Sequence, residues 1–437
     1  MAPTQLEQKL SRTLQRRESQ SKLRRLKSSP LGSVDLSSND FLSLAISREF
    51  RQDYLKELRN QYLPIGSTGS RLLDGNSQYA ESLERRIAAF HGAETGLLVG
   101  SGFDANVSIF TCLPQPGDII IYDELIHASV HDGMRQSRAT SFLPFKHNCL
   151  QDFRTVLARC KATSKSTTNI FIPVESVYSM DGDLVPLTGM VSTIEDLSLT
   201  GRAHVIVDEA HSTGIYGLRG RGLVSHLGLE SNILVRLHTF GKALGCNGAI
   251  ILCNPVIRSY LINYARPLIF TTFMSYPMLA AIKVAYDWLE SGRTEELSSR
   301  LFHMIRHLHQ RLQALAPLIS RLPPSTMTLP ATCPESAIFA LTMSEPRQLA
   351  EYCQAKGFVV RAVVHPTVPI GTERVRICLH SGNTEKEIDD FVQWVKQWIE
   401  TRLATTPDEI KNGKPPHETN PGGGRSQKLG EAVMAKL

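Results

Sequence analysis

The sequence predicts an α/β fold: a large domain on a mainly parallel sheet, followed by a smaller α+β domain. Two observations carry this expectation. Up to about residue 285, short apolar runs alternate with polar or glycine-rich turns that open helices, the rhythm of parallel strands joined by helical crossovers. Beyond that point the texture changes to a long helix, a Pro323-Pro324 break, and strands spaced by two more helices. A chain of 437 residues, 42% hydrophobic and 21% charged, has length for one large domain and a smaller one. The expected division is 1–45 as an N-terminal helix and arm, 46–285 as the large domain, 286–403 as the small domain and 404–437 as a flexible tail.

Composition narrows the function classes. The net charge is +6, with part of the excess near the two ends, and no aromatic residues interleave with a basic stripe, so nucleic acid is not an expected partner. The longest apolar runs, such as 248–253, are too short for a membrane span, and no secretory apolar region opens the chain. None of the eight cysteines forms a C-x-x-C pair, which suits free thiols in a reducing compartment. His127 and His131 are four apart but lack the glutamate of a metalloprotease helix, so no metal is expected.

In chain order, Leu6, Leu10 and Leu14 recur every four residues among Arg, Lys and Gln, predicting a solvated helix that packs its leucines on the body. Residues 35–44 read as a short strand and a turn. Gly66-Ser67-Thr68-Gly69-Ser70-Arg71 reads as a loop able to cradle an anion, though it lacks the P-loop ending. A helix is expected over 77–91, with Leu83, Ile87 and Phe90 on one face. Strands follow at 95–99, 118–122, 169–174 and 203–207, each leading into a polar turn. Two more flank the turn at Lys242, one entering through Ile233-Leu234-Val235 and one leaving at 248–252. The later part predicts a helix over 294–318, strands at 336–342, 358–364 and 375–379, and helices near 346–356 and 384–402.

In a parallel sheet, ligands bind at the carboxyl ends of the strands, where these polar turns fall. Lys242 stands there among small residues, with Thr239 three positions before it. Read alone it is a surface lysine in a turn. A buried lysine, however, must be paired, neutralised or used in chemistry, and a Schiff base with pyridoxal phosphate is one such use. That cofactor needs a carboxylate beside its ring nitrogen, and Asp208 ends an apolar strand. His211, one helical turn on, can meet the ring oxygen, and His127 can stack on the ring. Gly102, Phe103 and Thr239 can supply a phosphate with a helix N-terminus and a hydroxyl.

Four stretches then carry a resemblance: Asp208-Glu209-Ala210-His211-Ser212-Thr213-Gly214 with Gly220-Arg221-Gly222 behind it, Thr239-Phe240-Gly241-Lys242, Ser179-Met180-Asp181-Gly182, and Ser37-Ser38-Asn39-Asp40-Phe41-Leu42. Together, and in their order along the chain, they resemble the α-oxoamine synthases of the fold-type-I pyridoxal-phosphate transferases. The resemblance implies that Lys242 holds the cofactor covalently and acts as base and acid, and that Asp208 pairs with the ring nitrogen. It places His211 and Ser179 on the ring oxygen, His127 on the ring face, Gly102 and Phe103 against the cofactor, and Thr239 on its phosphate. It implies that Arg376 binds the amino-acid carboxylate with Asn39 nearby, and that Thr271 and Thr272 reach the phosphate of a second subunit in a homodimer with shared active sites.

The implied reaction is a decarboxylative condensation of an amino acid with an acyl-CoA, releasing CoA and CO2. Residues 366–372 (Pro-Thr-Val-Pro-Ile-Gly-Thr) are most similar to the branch that joins L-alanine to pimeloyl-CoA in biotin biosynthesis. Three alternatives stay open: glycine or serine with another acyl-CoA, an aminotransferase or lyase, and a non-catalytic binding subunit. Finally, Ala435, Lys436 and Leu437 fit the small–basic–leucine address read by the peroxisomal import receptor, so a peroxisomal enzyme of eukaryotic, fungal type is expected.

Overall fold

A computed structural model describes residues 3–20, 22–26, 28–60 and 63–404. Its centre is a seven-stranded sheet. From edge to edge it runs Thr95–Val99, Ala249–Cys253, Ile233–Thr239, Ala203–Asp208, Ile170–Glu175, Ile119–Asp123 and Ser141–Phe145. Every neighbouring pair is parallel except the two that involve Ala249–Cys253. Strands covered on both faces read as continuous apolar runs, because alternate side chains feed two separate cores. Val205 and Val207 join one core while Ile206 joins the other; Leu98 and Leu97 divide in the same way.

The larger core continues without a break into the C-terminal layer. There, an antiparallel sheet in the order Arg361–Val363, Arg374–Cys378, Ile338–Met343 and Met327–Thr328 packs with helices Arg293–Gln313, Pro346–Ala355 and Glu385–Ala404. The N-terminal arm is laced onto this layer. Val34–Asp35 pairs in parallel with Phe358–Val359, Cys378 N–H donates to Leu36 O at 2.8 Å, and Ser381 N–H donates to Phe41 O at 2.8 Å.

Several expectations change. The strand Ser141–Phe145 was not predicted. The run at 358–364 divides into Phe358–Val359 and Arg361–Val363. The N-terminal helix forms at Gln5–Ser19, capped by Thr4 and Glu7, but it does not pack its leucines on the body: Leu6, Leu10 and Leu14 stay 65%, 54% and 52% exposed. Three leucines on a mostly polar helix offer little burial to hold it down. The 66–71 loop spends its hydroxyl protons on carbonyls, Ser67 on Phe273 O and Thr68 on Ser67 O. Arg71 is committed to Glu84 and lies over the Phe273 ring, so this loop is a packing feature. The Glu385–Ala404 helix ends where the tail was expected to begin, and Ala435, Lys436 and Leu437 lie outside the described residues. No helix among the described residues is long and apolar enough to cross a membrane.

Candidate active site

The carboxyl ends of the parallel strands and their turns bring most of the expected residues together. Asp208 is the last residue of its strand. Its carbonyl accepts from Ser176 N–H at 2.8 Å and Ser176 Oγ at 3.0 Å. Its carboxylate is gripped at both oxygens: Oδ1 accepts from Ala210 N–H at 3.0 Å and Oδ2 from Asn106 Nδ2 at 2.8 Å. These two donors fix the orientation of the carboxylate at the strand end.

Lys242 sits in the tight connection between strands Ile233–Thr239 and Ala249–Cys253. Phe240 N–H donates to Gly248 O at 2.9 Å, and Cys246 N–H donates to Phe240 O at 2.8 Å. Gly245 closes the turn at φ 61°, and a Cβ there would lie 2.6 Å from Ala45 N, so both the backbone and the space demand glycine. Burial lowers the Lys242 pKa from its ordinary 10.5, against the pull of the Asp208 and Glu175 carboxylates. The lysine is thereby moved toward the neutral, nucleophilic amine.

His211 is buried, and its Nδ1 has no hydrogen-bond partner among the described residues. Burial, then the positive fields of Lys242 and Arg376, depress its pKa well below 6.5, so it is a neutral imidazole. Its ring lies 5.8 Å from that of Phe41 on the N-terminal arm. An unsatisfied buried nitrogen beside a depressed lysine is the mark of a site built for a polar ligand.

The phosphate end has the required form. Ser101 caps helix Gly102–Cys112 by accepting from Asp104 N–H, leaving the first helical N–H groups to face outward. A Cβ at Gly102 would meet Thr239 Cβ at 3.4 Å, so glycine and threonine share one small space. Phe103 is 45% exposed beside it. His127 caps helix Ala128–Arg135 from the adjacent turn, with Ser129 N–H donating to its Nδ1 at 3.2 Å. The residues present therefore fit pyridoxal phosphate: a cradle of backbone N–H groups, a carboxylate, two imidazoles and a lysine on one sheet edge.

Arg376 arrives from the small sheet. Its Nε donates to Ser179 O at 2.6 Å and its Nη2 to Asn39 Oδ1 at 3.0 Å. These bonds use two of the five guanidinium N–H donors and fix the plane of the fork. Ser179 thus meets Arg376 through its carbonyl. The Ser179 loop is held from both sides: Arg374 pairs with Asp181, and Ser336 Oγ donates to Gly182 O at 2.6 Å.

Thr271 and Thr272 are exposed in the turn after helix Arg266–Ile269 and are not brought to this protomer's site. Conversely, sequence reasoning passed over Asn106, Ser129 and His147. Asn106 and Ser129 are buried polar residues inside helices. His147 bridges Asp123 and Asp183, at 2.8 Å to each. An aspartate at a strand end and another in a loop, on either side of a histidine, were the signal, and their sequence distance concealed it.

Comparison with known proteins agrees with this arrangement. The model of the family "Aminotransferase class I and II" matches residues 32–395. An 8-amino-7-oxononanoate synthase of Emericella nidulans is 48% identical over 405 residues, covering 91% of this chain and 97% of that protein. The aminoacyl transferase sphA of Aspergillus fumigatus is 38% identical over 372 residues, covering 82% and 79%. Among solved structures, serine palmitoyltransferase from S. paucimobilis, bound to a pyridoxal-phosphate–myriocin adduct, superposes with TM-score 0.76. It covers 92% of this chain and 99% of that one at 24% identity, a likeness of fold. The 8-amino-7-oxononanoate synthase of Francisella tularensis gives TM-score 0.66, covering 85% and 98% at 24% identity. The chain belongs to the class I and II aminotransferase family and, within it, to the α-oxoamine synthases, acyltransferases of the type-I fold that depend on pyridoxal phosphate.

Proposed function

We propose that the protein joins L-alanine to pimeloyl-CoA, giving 8-amino-7-oxononanoate, CoA and CO2, a step of biotin biosynthesis. The observation that carries this reading is the 48% identity to an 8-amino-7-oxononanoate synthase, sustained over 97% of that relative. The assembly of Lys242, Asp208 and His211 at the carboxyl end of the large sheet, with Arg376 reaching in from the small sheet, supports the chemistry. When bound, the cofactor supplies an electron sink for the carbanion formed at the amino-acid Cα. The chain does the rest. Arg376, oriented by Asn39 and the Ser179 carbonyl, binds the substrate carboxylate as a planar fork. Lys242, with its depressed pKa, takes the Cα proton and later returns one. Asp208, held at both carboxylate oxygens, would face the ring nitrogen, and neutral His211 offers or accepts one hydrogen bond at its unsatisfied nitrogen.

A second reading keeps the same chemistry with serine or glycine and another acyl-CoA; the 38% identity to an aminoacyl transferase named sphA favours it. A CoA-release assay separates the two when alanine, glycine and serine are crossed with pimeloyl-, succinyl-, acetyl- and palmitoyl-CoA. The active unit in this reading is a homodimer, with Thr271 and Thr272 completing the partner's site. The exposure of Phe103 and Phe270, at 45% and 69%, supports a covered surface there. Import into peroxisomes through Ala435, Lys436 and Leu437 is part of the same proposal. Deletion of these three residues should move a tagged protein to the cytosol; a tagged protein never found in peroxisomes would refute it.

A further inference from the structure

We propose that Asn106 is a positioning residue that couples Asp208 to His127 through Ser129, and that this chain holds His127 as the neutral tautomer protonated on Nε2. The inference rests on the assignment of Asp208 and His127 to the two sides of the cofactor ring, and deepens it. Asn106 lies in the second turn of helix Gly102–Cys112 and is 2% exposed; Ser129, in helix Ala128–Arg135, is fully buried. The amide of Asn106 reaches both Asp208 Oδ2, at 2.8 Å, and Ser129 Oγ, at 3.0 Å, through Nδ2. Turned the other way, its oxygen would face a carboxylate oxygen at that distance, two acceptors in contact. The amide nitrogen must therefore be the atom present.

The polarity of the chain then follows. A side-chain NH2 can only donate, so Ser129 Oγ accepts from Asn106. Because the Ser129 backbone N–H makes His127 Nδ1 an acceptor, the Ser129 hydroxyl gives its own proton to that nitrogen, 2.7 Å away. The backbone N–H of Ser129 points at the same Nδ1 at 3.2 Å. A ring nitrogen that receives two N–H or O–H donors carries no proton, so in a neutral imidazole the proton is on Nε2. One buried amide thus fixes an oxygen of the ring-nitrogen carboxylate and, one hydroxyl further on, the hydrogen-bonding sense of the stacking imidazole. The link runs between the N-terminal turns of two neighbouring helices, so it also sets the spacing of the elements that hold the two groups.

Two measurements test this. In apoenzyme labelled with 15N-histidine, His127 is identified by the resonance lost in His127→Gln. At neutral pH its Nδ1 should resonate as an unprotonated acceptor and its Nε2 as a protonated nitrogen. Protonation on Nδ1 would overturn the proposal. In the holoenzyme, Asn106→Leu removes the donor to Asp208 Oδ2 while nearly keeping volume. kcat should fall at least tenfold while KM for the amino acid changes less than threefold. Asn106→Gln, which keeps the amide, should restore part of the loss. An unchanged kcat in Asn106→Leu would refute the coupling. If instead the wild-type protein fails to hold pyridoxal phosphate on Lys242, the cofactor-site assignment fails, an outcome separable from the tautomer read in the apoenzyme.

Discussion

At the scale of single residues, the site depends on one amine whose charge the fold opposes. Burial lowers the Lys242 pKa, and the sign has a direct consequence. The neutral amine captures the cofactor, so the rate of pyridoxal-phosphate uptake by apoenzyme should rise with pH through a midpoint below the ordinary 10.5. Stopped-flow absorbance checks this; a midpoint at or above 10.5 would contradict the buried site. Arg376→Lys keeps the charge but loses the planar fork, so KM for the amino acid should rise by roughly tenfold or more. Steady-state kinetics at varied amino acid, with acyl-CoA saturating, reads it.

Lys242, Asp208 and His211 were legible in the sequence because each sits at or just beyond the point where an apolar run meets a polar turn, whereas Arg376, in the middle of strand Arg374–Cys378, was reached only through the family resemblance. The glycines of the same motifs turn out to serve packing. Gly222, at φ 103°, would carry a Cβ 2.8 Å from Glu209 Oε2, and Glu209 itself accepts from Leu223 N–H and Val224 N–H. Asn106 and Ser129 were not legible, since a polar residue on an apolar helix gives no hint of which way it faces.

At the scale of elements, two loops bear the site, and His147 clamps them. It reaches Asp123 at the end of one strand and Asp183 in the loop that follows Ser179. Burial works against its charge, but the hydrogen bonds to the two carboxylates outweigh it and push its pKa up to about 10 from 6.5. Because the folded pKa lies above the unfolded one, this stabilisation is full below pH 6.5 and is lost as pH rises through about 10. His147→Gln should therefore cost about 2–3 kcal/mol near pH 6. The cost should shrink above pH 10, as denaturant unfolding at the two pH values would show. An equal cost at both would mean that the imidazolium charge plays no part. Element type was readable wherever the apolar run was long, as at Ala203–Asp208. Ser141–Phe145 was missed because it is a five-residue edge strand that stays partly exposed along most of its length, so its sequence carries no continuous apolar run.

At the scale of the molecule, the N-terminal arm, the large sheet and the small sheet each contribute to one site: Asn39, Lys242 and Arg376 come from the three in turn. Sequence order gave no sign that the arm is laced to strands more than three hundred residues away, because β-pairing depends on register and not on distance along the chain. The proposed shared dimer site makes a mixing prediction. Lys242→Ala and Thr272→Asp protomers, each inactive alone, should regain roughly a quarter of wild-type activity when randomly mixed, since half the dimers then carry one intact site. No recovery would place Thr272 outside the partner's site.

The central claim is the identity of the two substrates. The most direct measurement is CoA release by purified holoenzyme across the matrix of three amino acids and four acyl thioesters, with the product identified by mass. Alanine with pimeloyl-CoA should give the highest kcat/KM, with 8-amino-7-oxononanoate and CO2 formed in step with CoA. A clear preference for serine or glycine, or for another acyl chain, would contradict the proposal while leaving the α-oxoamine synthase chemistry in place.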